Sequence, residues 1–287
     1  MPETASPSIP SIPSIPSPPA TPRPSATVIL VRDGREGVEV FLMERSNVGM
    51  FGGLHVFPGG KVDGADHAER WEEFANGLDD TGASEALGMD RGGLAYWVAC
   101  IRECFEEAGV LLASRDDGEL LPLTDPDRRV RFTDWRTRLN AREVGVFEAM
   151  CESERLGLAT DRIAYVGHWI TPVIEPRRFS TRFFVAQAPD RQEALHDGFE
   201  TVESAWMRPE LALERFAMGE LNLISPTFKH LESIVGYDSA EALLAAKHAI
   251  DPATIPTIQP RLITNDTSKM DEILDVVGRG GQLFDTT

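Results

Sequence analysis

The densest chemistry in the sequence is the octet Arg102 to Gly109, RECFEEAG, which spaces Glu103, Glu106 and Glu107 three and four residues apart. Side chains at i, i+3 and i+4 share one helix face, so the three carboxylates would stand side by side. Like charges that close repel by roughly a few tenths of a kcal/mol per pair on an open surface, and by more in a cleft, unless a cation lies among them. A hard divalent ion, Mg2+ or Mn2+, prefers such oxygens and is held by a few carboxylates together with water and substrate phosphate. An isolated E-x-x-E-E would read as a solvated acidic face. Here the other side of the segment, Val98, Ile101, Phe105, Ala108 and Leu112, is apolar at helical spacing. That predicts a helix buried along one stripe, with its carboxylates on the other. Gly109 stands where the carboxylate run stops, while Val110 to Ala113 can prolong the apolar segment.

Carboxylates need a scaffold. The stretches ATVILVR and VEVFLMER flank DGREG and predict a β-hairpin, and LHVF predicts a third short strand running into the glycine-rich loop PGGKVDGAD. Residues 67–96 follow, acidic and predicted helical in two pieces broken at glycines. Their Trp71, Phe74, Leu78, Leu87, Met89 and Leu94 suffice to pack as a small lobe. Its place beside the carboxylates predicts one wall of a substrate cleft; the alternative is an inert surface excursion. Further strands are predicted in IAYVGHWITP, TRFFVAQAP and ETVESAWMRP, and helices in PELALERFAMGE, SPTFKHLESIV and DSAEALLAAKHA. Ser225 before Pro226 makes an N-cap and N1 pair, and Asp238 with Glu241 matches a capping box. Strands mixed with helices in no regular alternation predict an α/β fold, a mixed sheet sandwiched between helices with a helical insertion and C-terminal helices. The expected organisation is a Ser/Ile/Pro-rich disordered tail over 1–25, a domain over 26–235 interrupted at 67–96, and a helix and extension over 236–287 packing on it.

With 28 basic against 46 acidic residues in 287, the net charge is −18, which argues against nucleic-acid binding through a basic surface. A small phosphorylated molecule remains, given a metal and local arginines. Cys100, Cys104 and Cys151 are too few and too irregularly placed for a disulfide framework or a zinc site and read as core. No apolar run is long enough to span a membrane and no signal-peptide pattern opens the chain, so the expected setting is cytoplasmic, with no membrane partner.

Read together, GGKVDGAD and RECFEEAGV resemble the two halves of the Nudix box, G-x5-E-x7-R-E-U-x-E-E-x-G-U with U apolar. Gly60 takes the first place, Arg102 and Glu103 the R-E, Glu106 and Glu107 the E-E, and Gly109 with Val110 the end. Asp66 stands where the pattern has Glu, and 35 residues, 67–101, stand where it has seven. A Nudix subgroup that includes a peroxisomal coenzyme A diphosphatase carries a long insertion at this place. The chain is similar to that subgroup in VFPGGKVDGAD, ACIRECFEEAGVLLA, WITPVIEPRRFSTRFF and ESAWMRPELAL as well. Of the arginine-bearing motif associated with coenzyme A hydrolases, Arg45 and Ser46 fit, but Gly49 stands where a second arginine would be.

The resemblance implies hydrolysis of a nucleoside diphosphate linked to another group, X, by attack of water on phosphorus. It implies Glu103, Glu106, Glu107 and the Gly60 carbonyl as ligands of Mg2+ or Mn2+, with Glu103 also able to orient or deprotonate water. A base from outside the box is common in the family, and Glu200 or Glu203 beside Trp206 is the candidate, against an ordinary surface role. Arg102 is expected to pair with a box carboxylate and fix the helix against the loop, a structural part shared with Asp66 and Gly109. Arg45, Lys61, Arg178 and Arg182 are candidates for phosphate contact, and Phe51, Trp169 and Phe179 for stacking on a base, each also explicable as solvated or core. His55 and His168 read as packed or hydrogen-bonded. The first substrate is coenzyme A or an acyl derivative. ADP-ribose, NADH or another dinucleotide is the alternative within the same chemistry, and net charge disfavours a capped RNA. A catalytically silent nucleotide-binding module is the alternative outside it, disfavoured because such a module need not retain three repelling charges. A homodimer is compatible with all of these.

Overall fold

The computed structural model describes residues 18–45, 53–115, 118–173, 175–194 and 201–260. In chain order its first elements are β1 (Arg23–Gly34), β2 (Gly37–Arg45), β3 (His55–Val56), β4 (Gly59–Lys61), α1 (Trp71–Phe74), α2 (Asp80–Leu87) and α3 (Leu94–Ala108). Next come β5 (Ala113–Ser114), α4 (Pro126–Asn140), α5 (Val146–Glu154), β6 (Gly157–Leu158), β7 (Ile163–Ile170) and β8 (Phe179–Gln187). The last are β9 (Thr201–Met207), α6 (Pro209–Ala217), α7 (Ser225–Glu232), α8 (Ala240–His248) and β10 (Thr257–Ile258).

The hairpin of β1 and β2 pairs from Gly34↔Gly37 back to Val31↔Val40, and there the strands part. Each freed edge takes a piece of the glycine-rich loop. β4 lies antiparallel on β1, Ser25↔Lys61 to Thr27↔Gly59, and β3 lies on β2 at Met43↔Val56. The split therefore clamps Gly59 and Gly60 between strands. On its other edge β1 runs parallel to β8 from Arg23↔Phe179 to Val31↔Gln187, and β7 then β10 continue the sheet; β9 covers the outer edge of β2. β1 begins at Arg23, earlier than the tail boundary expected at residue 25. Arg23 N donates to Arg178 O, and Pro24, which has no N–H to satisfy, offers its carbonyl to Val62 N.

Period-two alternation along β1 sends Ala26, Val28 and Leu30 to one face and Ile29 and Val31 to the other, so the sheet has two cores. The first is built on α3, buried at every position except Glu103 and Glu106. The second lies under Leu231, Ala240 and Leu243 of α7 and α8. The inserted segment packs into the first core through Trp71 and Leu87, with Phe74, Leu78 and Met89 against it. Trp71 stacks on Phe147 of α5, 5.3 Å between centroids. α3 begins at Leu94, inside the expected insertion, and ends at Ala108 because Gly109 turns left-handed, φ 69°; Val110 to Leu112 stay buried without prolonging the helix. The capping box expected from Asp238 is replaced by Ser239, whose hydroxyl accepts from Ala242 N. Ile224, not Ser225, holds the N-cap position of α7, moving the expected boundary by one residue. No helix among the described residues is long and apolar enough to cross a membrane.

Candidate active site

The glutamate helix is fixed at both ends by neighbours. At its start the Asp80 carboxylate of α2 accepts from Gly92 N at 2.8 Å and Leu94 N at 3.0 Å. The Ser84 hydroxyl accepts from Gly93 N, and a Cβ on Gly93 would lie 2.3 Å from Ser84 N, so only glycine allows this approach. At its end Arg136 of α4 donates to the carbonyls of Glu106 and Glu107 at 2.9 and 2.8 Å, supplying a cation where the helix dipole is negative.

Between these anchors, Arg102 joins helix to loop. Its guanidinium is 8 % exposed and meets both Asp66 oxygens at 2.9 Å, Nε to Oδ1 and Nη2 to Oδ2. Nη2 also donates to the Lys61 carbonyl, and Nη1 to Glu103 and Glu106, all at 2.9 Å. A shorter aspartate thus takes the place of the box glutamate, closing its loop with a bond from Asp63 N. Burial opposes the charge on Arg102, but its bonds to Asp66 and the field of Glu103, Asp66 and Glu106 prevail and hold it above the usual range. Burial pushes Glu103 up to about 7, with Arg102 pulling down and Glu106 and Asp66 pushing further. Glu106 is raised too, by burial against the pull of Arg102 and Arg142.

Glu107 accepts from Gly59 N at 2.8 Å, and the Gly60 carbonyl accepts from the Ser25 hydroxyl at 2.6 Å. A Cβ on Gly60 would sit 2.4 Å from the Glu103 carboxyl carbon, so the carboxylate rests in a cradle that only glycine leaves open. The donors are all hard oxygens, which fits Mg2+ or Mn2+ in chemistry. In this arrangement Arg102 and Gly59 hold the carboxylates, and among the described residues no three His, Cys, Asp or Glu side chains converge on one point.

Ser25, Gly59, Gly60 and the three glutamates line a cavity of about 1750 Å3. Thr133, Arg136, Thr137, Asn140 and Arg142 of α4 and its C-terminus line it with polar groups; Leu223, Ile224 and Phe228 line it with apolar ones, interspersed with Asn222, Ser225 and Thr227. No residue of 67–96 lines it, so the expectation that the insertion walls the cleft is corrected. Its apolar side chains are spent on the core behind α3 and on α5. Arg45 and Lys61 line the cavity. Arg178 and Arg182 are corrected as phosphate contacts. Arg178 is a buried clamp donating to Thr171 O and Ala20 O, and Arg182 lies on the opposite face of β8, donating to the Tyr165 hydroxyl. Exposed Arg177 faces the cavity instead. Glu203 is exposed opposite Glu44 in the β2–β9 pairing and does not line the cavity, which removes the physical basis for its role as base; Glu200 and Phe51 lie outside the described residues. Trp169 and Phe179 do line it. His168 is bonded to Thr257 and Ser180 hydroxyls, and His55 is half buried beside Asn222. The three cysteines are buried in the core. Sequence reasoning assigned nothing to α4, whose signal was six arginines in residues 126–142 of an acidic chain.

A mixed sheet that splits to admit a glycine loop against a glutamate helix defines the Nudix architecture. A solved NUDIX hydrolase from Alicyclobacillus acidocaldarius superposes with a TM-score of 0.64 at 25% identity, covering 78% of this chain and 96% of that one. A family model described as the NUDT19 Nudix domain matches residues 79–234, and the chain belongs to this family of Nudix hydrolases. Curated relatives named acyl-coenzyme A diphosphatase NUDT19 are 29% identical in Xenopus laevis, over 68% of this chain and 59% of that one, and 28% identical in Homo sapiens, over 72% and 63%. The chain thus spans about three fifths of these relatives' length.

Proposed function

We propose that this chain is a divalent-metal-dependent diphosphatase acting on coenzyme A and its acyl thioesters. The observation that carries the reading is that Glu103, Glu106 and Glu107 line one cavity with Gly59 and Gly60, the first two bonded to buried Arg102 and the third to Gly59 N. The names of the NUDT19 relatives support the choice of substrate. Glu103, Glu106, Glu107 and the Gly60 carbonyl would hold Mg2+ or Mn2+, which supplies Lewis acidity toward the diphosphate. Around it the protein's own groups align the reaction. Arg102 restrains Glu103 and Glu106, and Gly59 N orients Glu107. Glu103, cradled on Gly60, takes a proton from the attacking water as the new P–O bond forms and the bridging P–O bond breaks. Arg45, Lys61, Arg142 and Arg177 line the volume where phosphates lie.

The test is turnover of a panel of diphosphates, coenzyme A, acetyl and longer acyl thioesters, ADP-ribose and NADH, with Mg2+, Mn2+ or chelator, read by mass spectrometry. Coenzyme A and its thioesters should give adenosine 3′,5′-bisphosphate and a phosphorylated X, the phosphopantetheine or its acyl thioester, and chelator should abolish it. Full turnover in chelator, or preferential cleavage of ADP-ribose or NADH, would overturn the assignment.

A further inference from the structure

The cavity is chemically divided. A drug-sized ligand fills about 300–1000 Å3, and this space, about 1750 Å3, exceeds that. The carboxylates, Lys61 and Arg142 lie with α3 and α4, while α6 and α7 pack against the other core of the sheet. None of the lining residues from 216 to 228 is charged, so that side brings no cation to a phosphate, although Asn222, Ser225 and Thr227 also lie along it. It offers Phe216, Leu223, Ile224 and Phe228 over a floor that includes Trp169 and Phe183. Phe216 and Ile224 are each 36 % exposed, and Phe216 stacks on Phe228 at 5.3 Å, so two turns of helix present apolar surface to the cavity rather than to a core.

Resting on the diphosphatase reading, we propose that this α6–α7 wall receives an apolar chain on X, so that the protein selects thioesters by acyl length while α4 faces the phosphates. The diphosphate anchors at the carboxylate end, X extends toward Phe216, Ile224 and Phe228, and each methylene laid on the wall leaves water. A substrate with an anionic head and an apolar tail matches the cations of one lining and the Phe216, Ile224 and Phe228 side chains of the other.

The experiment measures kcat/KM for coenzyme A thioesters of two, four, six and eight carbons in three proteins of matched melting temperature: the native chain, Phe216→Ser with Ile224→Ser, and Met218→Ser. Met218 is 57 % exposed on the same hairpin but does not line the cavity. The native chain and Met218→Ser should prefer eight carbons over two by at least tenfold, and the double variant by less than threefold, with the change in KM. Turnover that is flat with chain length in the native protein, or an unaltered preference in the double variant, overturns the wall and leaves the diphosphatase reading standing. Failure to cleave any coenzyme A thioester overturns that reading, and this inference with it.

Discussion

Three side chains in the box divide catalysis from stability. Glu107→Gln keeps an acceptor for Gly59 N but removes the charge, so kcat should fall by about a hundredfold or more while the melting temperature holds. The rise in melting temperature on adding Mg2+ or Mn2+ should shrink in the same variant, because an ion that binds only the folded state stabilises it in proportion to its affinity. Equal turnover by Glu107→Gln would remove that carboxylate from the mechanism. Arg102→Leu makes the opposite kind of damage. Asp66 is 2 % exposed and takes two of the arginine's bonds, so the substitution strands a buried carboxylate. Losing one partner of such a pair costs roughly 3–5 kcal/mol, to be read as a shift in urea midpoint at constant slope. A midpoint within a few tenths of molar of the native one would show the pair to be dispensable.

At the scale of elements, what was legible in the sequence was local. RECFEEAG declares itself because an apolar stripe and a charge cluster share one helix, and the glycines of VFPGGK because strand and loop chemistry change within six residues. The work of the insertion was not legible, because proximity in sequence to the carboxylates says nothing about which side of α3 it packs on. Arg178 and Arg182 were misread for the same reason: strand parity sends Arg182 away from the cavity, and the partners of Arg178 are backbone carbonyls distant in sequence. The insertion is therefore expected to matter for stability rather than for choice of X. Asp80→Ala removes the acceptor for Gly92 N and Leu94 N at the start of α3 and should cost about 1–2 kcal/mol. The ratio of activities on short and long thioesters should be unchanged. A shifted ratio, with stability intact, would return the insertion to the substrate.

The whole molecule carries a pH dependence in its second core. His230 of α7 is 6 % exposed, lies against Phe183 of β8 at 4.5 Å between centroids, and closes on Gly167 of β7, where a Cβ would meet its ring at 2.6 Å. Among the described residues its Nε2 has no partner. Burial, then the charge of Lys247 from α8, lowers its pKa to about 3. Unfolded, the imidazole titrates near 6.5. Below that pH the unfolded chain takes up a proton that the folded chain refuses, so stability is lost as pH falls from about 6.5 toward 3, by up to about 1.4 kcal/mol per unit for this residue. Glu103 acts in the other direction. Its folded pKa of about 7 lies above the usual carboxylate value, so the folded state gains stability as pH falls through the same region. The raw profile of the native protein mixes these with His168, which burial and then Arg182 lower to about 3 as well, and with Glu106, which burial raises, so the informative quantity is a difference. His230→Leu fills the same space without a titratable ring. Its unfolding free energy minus that of the native chain should grow by about 1 kcal/mol for each unit below pH 6, measured by urea unfolding between pH 7 and 4.5. Parallel profiles would mean that His230 is protonated in the folded core, and that the second core tolerates a charge beneath the sheet.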